Sequence, residues 1–352
     1  MDEVVELLTE LSEALGVSGY EADVRAIVRR LLAPLGTLEQ DRSGSVICSQ
    51  GDSGPRVMVA AHMDEIGFMV HHITPEGFLR FQPLGGWWDQ VLLGQRVSVQ
   101  TRKGPVVGII GAKPPHLLQG EERLKTVERK DMYVDIGVVS GKEAEQAGVR
   151  PGDPIAPASR FEVMANGKSY VCKAFDDRVG VALIVQALRH YSRTPHPNVL
   201  VGVGTVMEEV GLRGAKTAAE VAMPDVALIA ELSLCGDVPG IKPEESSVKL
   251  GGGPTLYLLD AQMIPNLRLR DLVVDTAAEL HIPLQFQALS TGSTDGGPIH
   301  LHGTGVPTAV LGVPSRHVHT HGNIIHRDDY DQTLRLLLAL IGKLDAQTVT
   351  AL

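Results

Sequence analysis

Four apolar runs along this chain each end on a histidine or a glutamate. "RVMVAAH" closes on His62, "NVLVGVGTVMEE" on Glu208 and Glu209, "DVALIAE" on Glu231, and "VPTAVLGVPSRHVH" on His317 and His319. Short continuous apolar runs of this kind read as strands covered on both faces. Helical patterning lies between them, in "DDRVGVALIVQALRHY" from Asp176, in "GLRGAKTAAEVA", and in a last helix from about Asp328. Alternation of buried strands with helices predicts an α/β fold, a mixed sheet sandwiched by helices.

The middle third has another character. "GQRVSVQT", "GPVVGIIGA" and "MYVDIGVVS" are short β-like segments broken by glycine and proline. Residues 74–169 are therefore expected to form a small inserted β-barrel, splitting an α/β domain made of residues 1–73 and 170–352. Ahead of it, a first helix is expected to end near Gly16. Ser18 is placed to cap a second helix, and a hairpin follows over Arg42 to Gln50.

A chain of 352 residues with 43% hydrophobic and 21% charged residues can bury a large core. Its net charge of −10 argues against a nucleic-acid partner and suits cations, including metal ions and free amines. The three cysteines, Cys48, Cys172 and Cys235, are far apart and form no C-x-x-C pair, so a reducing cytoplasm is the expected location. "MDEVVELLTELSEALGV" reads as an acidic amphipathic helix and not as a signal peptide. No apolar run has the length of a membrane span, so no membrane partner is expected.

"VAAHMDEIGFMV" raises the functional question, because it sets His62, Asp64 and Glu65 in an apolar run where polar groups need partners. Ligand sites in open α/β sheets lie beyond the carboxyl ends of the strands. His62, Glu208, Glu209, Glu231 and His319 would converge there, and Asp176 and Asp177, at a helix start, would reach the same edge. Taken singly each signal is weak: "DD" also caps helices, and "EE" is also solvated charge. Together, two histidines and several carboxylates suit Zn²⁺, Co²⁺ or Mn²⁺. One aspartate can bridge two metals with its two oxygens. Asp64 can hold the second nitrogen of a metal-bound His62. Of the pair Glu208 and Glu209, one can bind metal while the other accepts a proton. "GVGTVM" lacks the third glycine of a dinucleotide loop, and Gly251 to Gly253 lack a P-loop lysine.

Six blocks in order, "AHMDEIGFMV", "GWWDQVLLGQRV", "KAFDDRVGVALIV", "GTVMEEVGLRGA", "TGSTDGGPIHL" and "VPSRHVHTH", carry a family resemblance. The chain resembles the tetrahedral aminopeptidases, also called glutamyl-aminopeptidase-like or endoglucanase-like metallopeptidases. That resemblance implies that His62, Asp176 and Glu231 hold one divalent metal ion and that Asp176, Glu209 and His319 hold a second. It further implies Glu208 as general base, Asp64 orienting His62, Asp177 supporting the bridge, and a cis peptide between Asp176 and Asp177. Zinc or cobalt is implied first, with manganese possible. Many relatives carry Asp at position 231. The tail after His319, "THGNIIH", also departs from the family, leaving His317 and His321 as competitors for one ligand position and His326 without a role.

The implied activity is removal of N-terminal residues from short peptides with a free amine, by an enzyme self-associating into a dodecamer. A deacylase or carboxypeptidase on the same sheet would share the ligands but need a basic residue to grip a carboxylate. An endoglucanase would need two carboxylates free of metal. The segment Ser293 to His300 is expected to border the substrate pocket. Trp87 and Trp88 are read either as interface or as core.

Overall fold

A computed structural model describes residues 2–352; Met1, at the head of the expected first helix, lies outside the described residues. Four parallel strands, Val199–Thr205, Arg56–His62, Val226–Leu234 and Thr308–Arg316, lie side by side at the centre of an eleven-stranded sheet. Antiparallel strands extend both edges. Val46–Gln50 and Thr37–Gln40 add on one side, and Asn323–His326, Ser169–Cys172 and Glu162–Val163 on the other. Thr255–Leu259 also pairs antiparallel with Thr308–Arg316.

Helices cover both faces, which is why the central strands read as unbroken apolar runs. On Arg56–His62, Val57, Val59 and Ala61 face one buried cluster, shared with helices Glu3–Glu13, Ala22–Leu32, Phe175–Tyr191 and Arg327–Lys343. Met58 and Ala60 face the other cluster, with helix Arg213–Ala222 and Ile299. Glycine sets how closely helix and sheet approach. A Cβ on Gly180 would stand 2.6 Å from the carbonyl oxygen of Ala230, so only glycine lets Phe175–Tyr191 lie this close to Val226–Leu234. The mixed sheet between helices is the architecture expected.

A separate closed barrel runs in the order Gly67–Ile73, Leu79–Leu84, Tyr133–Asp135, Gly104–Gly111, Arg96–Thr101, Pro154–Pro157. Phe68 anchors its core, stacked on Trp87 at 4.8 Å and edge-on to Phe81 at 4.9 Å. The tryptophan pair divides: Trp87 is buried and Trp88 is 63% exposed.

Three details differ from expectation. The barrel begins at Gly67, ahead of residue 74, because the chain leaves the sheet at Met63–Ile66 and the apolar run that follows is already a barrel strand. The strands Glu162–Val163 and Ser169–Cys172 belong to the large sheet. Ser18 caps no helix. The second helix starts at Ala22, and the Ser18 hydroxyl instead donates to Asp64 at 2.6 Å.

Candidate active site

His62 is the last residue of its strand and is 2% exposed. Its Nε2 lies 3.1 Å from Asp176 Oδ1, 3.9 Å from Glu208 Oε2 and 4.0 Å from Glu231 Oε2. The other Asp176 oxygen, Oδ2, is 3.5 Å from His319 Nε2, which is itself 3.3 Å from Glu209 Oε2. One carboxylate thus stands between two imidazoles, one oxygen toward each.

The main chain is bent to bring these groups together. Non-glycine residues with positive φ occur at Ala174, Met207, His317 and His319, flanking or carrying the candidate ligands. Such backbone is uncommon and gathers at functional sites. The Asp176–Asp177 peptide is cis, and both residues have non-helical φ/ψ within the helix Phe175–Tyr191. Glycine makes room from the barrel side: a Cβ on Gly86 would meet His319 Nδ1 at 3.0 Å, and one on Gly85 would meet Glu209 Cβ at 3.4 Å.

Asp64 is fully buried and does more than was expected of it. Its Oδ1 accepts the Glu208 N–H at 3.0 Å, and its Oδ2 accepts the Glu209 N–H at 3.2 Å and the Ser18 hydroxyl. The His62 Nδ1 lies nearer the Asp64 carbonyl oxygen, at 3.1 Å, than the Asp64 carboxylate, at 3.5 Å. Asp64 therefore touches His62 and both glutamates. Burial works to raise its carboxyl, but His62, Ser18 and the Glu208 N–H outweigh that and hold it below the usual carboxylate range. Its neighbour Glu65 turns the other way, into an interior ion pair with Lys173 at 2.7 Å and Arg178 at 3.6 Å. Arg178 in turn donates to the carbonyl of Met63, tying the Met63–Glu65 turn to the helix that carries Asp176.

The remaining carboxylates crowd one another. Burial first, and then the other carboxylates, push Glu208 and Glu231 well above the ordinary range, and Glu209 upward as well. Asp177 is raised likewise by burial and then by Glu231; its Oδ1 accepts the Gly180 N–H at 3.0 Å while Oδ2 has no partner. Glu209 Oε1 is also buried without a partner. So much buried negative charge calls for a cation. Donor atoms of His62, Glu208 and Glu231, and of His62, Asp176 and Glu209, lie within 4.8 Å of one another in two groups that can hold a metal ion. The first group takes in Glu208 where the resemblance implied Asp176, and the second takes in His62 where it implied His319.

Among the competing histidines, His319 alone faces the cluster. His317 is exposed. His321 is buried against Trp87 at 5.1 Å with neither ring nitrogen partnered. His326 accepts the Asp328 N–H at the head of the last long helix. Asp295, within the Ser293 to His300 segment expected to border the pocket, is a neighbour to which the motifs give no role. It is buried, accepts the Thr205 hydroxyl, and is pushed up to about 6 by burial.

A family model described as the M42 glutamyl aminopeptidase matches residues 44–336. The chain belongs to the M42 family. M42 peptidases are metallopeptidases; this chain is an aminopeptidase, a hydrolase acting on peptides. It is 41% identical to the FrvX protein of Escherichia coli K12 over 350 residues, covering 99% of this chain and 97% of that one. It also resembles the TET aminopeptidase of the marine-sediment archaeon Thaumarchaeota archaeon SCGC AB-539-E09. There the TM-score is 0.98 at 47% identity, with 99% of each chain covered. The TET1 peptidase of Pyrococcus horikoshii, described as able to assemble into a tetrahedron or a large octahedral shell, matches with TM-score 0.88 at 32% identity. That match covers 97% of this chain and 100% of the other.

Proposed function

We propose that this M42 member is a dinuclear metal aminopeptidase that removes N-terminal residues from short peptides. The observation that carries the proposal is Asp176 between His62 and His319, with Glu208 beside them. His62, Asp176 and Glu231 would hold one divalent cation, and Asp176, Glu209 and His319 the other, with zinc or cobalt favoured and manganese compatible. When bound, the two cations would supply Lewis acidity toward water and the scissile carbonyl.

The protein's own groups do the rest. Glu208 takes the proton from the attacking water and returns it to the leaving amine. Its buried carboxylate stands 3.9 Å from His62 Nε2, beside the groups that would hold the cations. Asp64 fixes the main chain of Glu208 and Glu209, keeping the base and its metal-binding neighbour in register. Asp177 is a support for Asp176. The acidic cluster meets the substrate's α-ammonium.

A carboxypeptidase or deacylase reading needs a cation to grip a carboxylate, and among the described residues no Lys or Arg lines the cleft. An endoglucanase needs two unengaged carboxylates, which this reading commits elsewhere. The catalytic unit comprises residues 1–73 and 170–352, with the inserted barrel of 74–169 drawing in its first strand from Gly67. The barrel carries the contacts of a homo-oligomer, most simply a dodecamer, as the tetrahedral assembly of the Pyrococcus horikoshii relative suggests. All three cysteines are free and buried, in keeping with a cytoplasmic protein, and among the described residues no helix is long and apolar enough to cross a membrane.

The test is hydrolysis of matched unblocked and N-acetylated peptides by metal-loaded enzyme. Cleavage confined to the unblocked peptide supports the reading; equal rates on both would refute it.

A further inference from the structure

The metal-site residues open onto a cleft of about 570 Å³ whose far walls carry a chemistry of their own. We infer that this cleft selects an uncharged, apolar N-terminal side chain of leucine or methionine size; the inference rests on the aminopeptidase reading and names its substrate class.

Charge disfavours an ionised side chain. Beyond the candidate metal ligands and Glu208, the one carboxylic acid lining the cleft among the described residues is Asp260, and it is 1% exposed. Its Oδ1 accepts the N–H groups of Gln262 and Met263, both at 2.8 Å, and its Oδ2 accepts the N–H and hydroxyl of Thr294 at 3.2 and 2.9 Å. Four donors occupy that carboxylate, so it shapes the wall and offers nothing to a substrate lysine. A substrate glutamate fares no better: among the described residues no Lys or Arg lines the cleft to pair with it. An unpaired charge carried into such a site is costly.

The lining surface favours an apolar side chain. Leu212, Leu232, Leu234, Tyr257, Leu289 and Val318 line the cleft. Tyr257 spends its hydroxyl on the carbonyl of Leu232 at 2.6 Å, so its ring is what remains for a ligand. The polar groups at the other wall, Gln262, Thr291 and Ser293, are neutral. Gly297 brings two walls in: a Cβ there would meet Gln262 Cβ at 3.0 Å and Leu212 Cδ1 at 3.4 Å. The M42 family description names glutamyl substrates, and this cleft has the wrong chemistry for them.

The experiment compares p-nitroanilides of leucine, methionine, alanine, glutamate and lysine, with N-acetyl-leucine p-nitroanilide, on metal-loaded enzyme. Leucine and methionine should exceed alanine in kcat/KM by about 10–200-fold, the worth of added methylenes in an apolar pocket, and should exceed glutamate and lysine by at least about 100-fold. Glutamate or lysine turned over as fast as leucine would overturn the inference and leave the aminopeptidase standing. Release from no unblocked substrate would remove the aminopeptidase reading and the inference together. Titration calorimetry with the free amino acids needs no turnover, and leucine should bind at least about 10-fold tighter than glutamate or lysine. Gln262 is exposed at the rim, so Gln262→Lys should fold and place an ammonium there. The glutamate-to-leucine ratio should then rise about 10-fold; an unchanged ratio would show that the side chain lies elsewhere.

Discussion

Glu231 turns back on its own strand: its Oε1 accepts the N–H of Leu232 at 2.8 Å, leaving Oε2 to face His62 Nε2 at 4.0 Å. The strand does not stop at Glu231 but continues to Leu234, so a carboxylate one methylene longer than aspartate reaches the site by folding the side chain. With one oxygen already engaged, Glu231 has one to give a metal.

That geometry predicts a weaker, more exchangeable metal position at His62, Asp176 and Glu231 than at Asp176, Glu209 and His319. Glu231→Gln should reduce bound metal from two equivalents toward one and abolish activity while the protein stays folded. Elemental analysis after gel filtration decides it, and two full equivalents in the variant would remove Glu231 from the ligand set.

Asp64 accepts from Ser18, Glu208 and Glu209 and adjoins His62, so its loss should be felt at both metal positions. Asp64→Asn presents an amide donor to groups that are themselves donors. Outer partners of this kind typically matter 10–100-fold in metal affinity or activity, and a loss of that order is expected in both, read by competition with a chelator and by kcat. A variant with wild-type metal affinity and kcat would show that the hydrogen bonds to the glutamates are dispensable.

His321 provides a pH test that needs no turnover. Burial pushes its imidazole down to about 4, and no polar group compensates. Between the ordinary value of 6.5 and about 4 the unfolded chain binds a proton that the folded chain refuses. Its contribution to stability is therefore in place above 6.5 and is lost as the pH falls toward 4, with a limiting slope of about 1.4 kcal/mol per pH unit. His321→Phe keeps a ring against Trp87 and removes that proton. Melting curves of the two proteins at pH 7 and pH 5 should diverge on acidification, the variant falling less; parallel curves would contradict the assignment.

Much of this architecture is legible in the sequence because its signals are physical and local. Continuous apolar strands announce helices on both faces, and His62, Glu231 and His319 stand out because a buried run carries no such residue without a partner. What stays hidden is non-local. Ser18 has the form of a helix cap, and only folding brings its hydroxyl to Asp64. Asp64 and Glu65 are adjacent and look equivalent, yet one faces the site and the other Lys173, more than a hundred positions away. The barrel strand at Gly67 opens on an apolar run, "GFMV", that reads as a continuation of the sheet strand before it. The character of the substrate cleft depends on segments around 212, 232, 260 and 289 that no motif unites.

In the proposed mechanism Glu208 is the proton acceptor beside a metal pair it does not itself hold. Glu208→Gln preserves shape and removes the basic oxygen. Metal content and turnover of unblocked peptide, measured on the same preparation, test it most directly. Two equivalents of metal retained with kcat lowered by about 10²–10⁴ is the predicted result. Loss of a metal equivalent, or turnover at the wild-type rate, would contradict it.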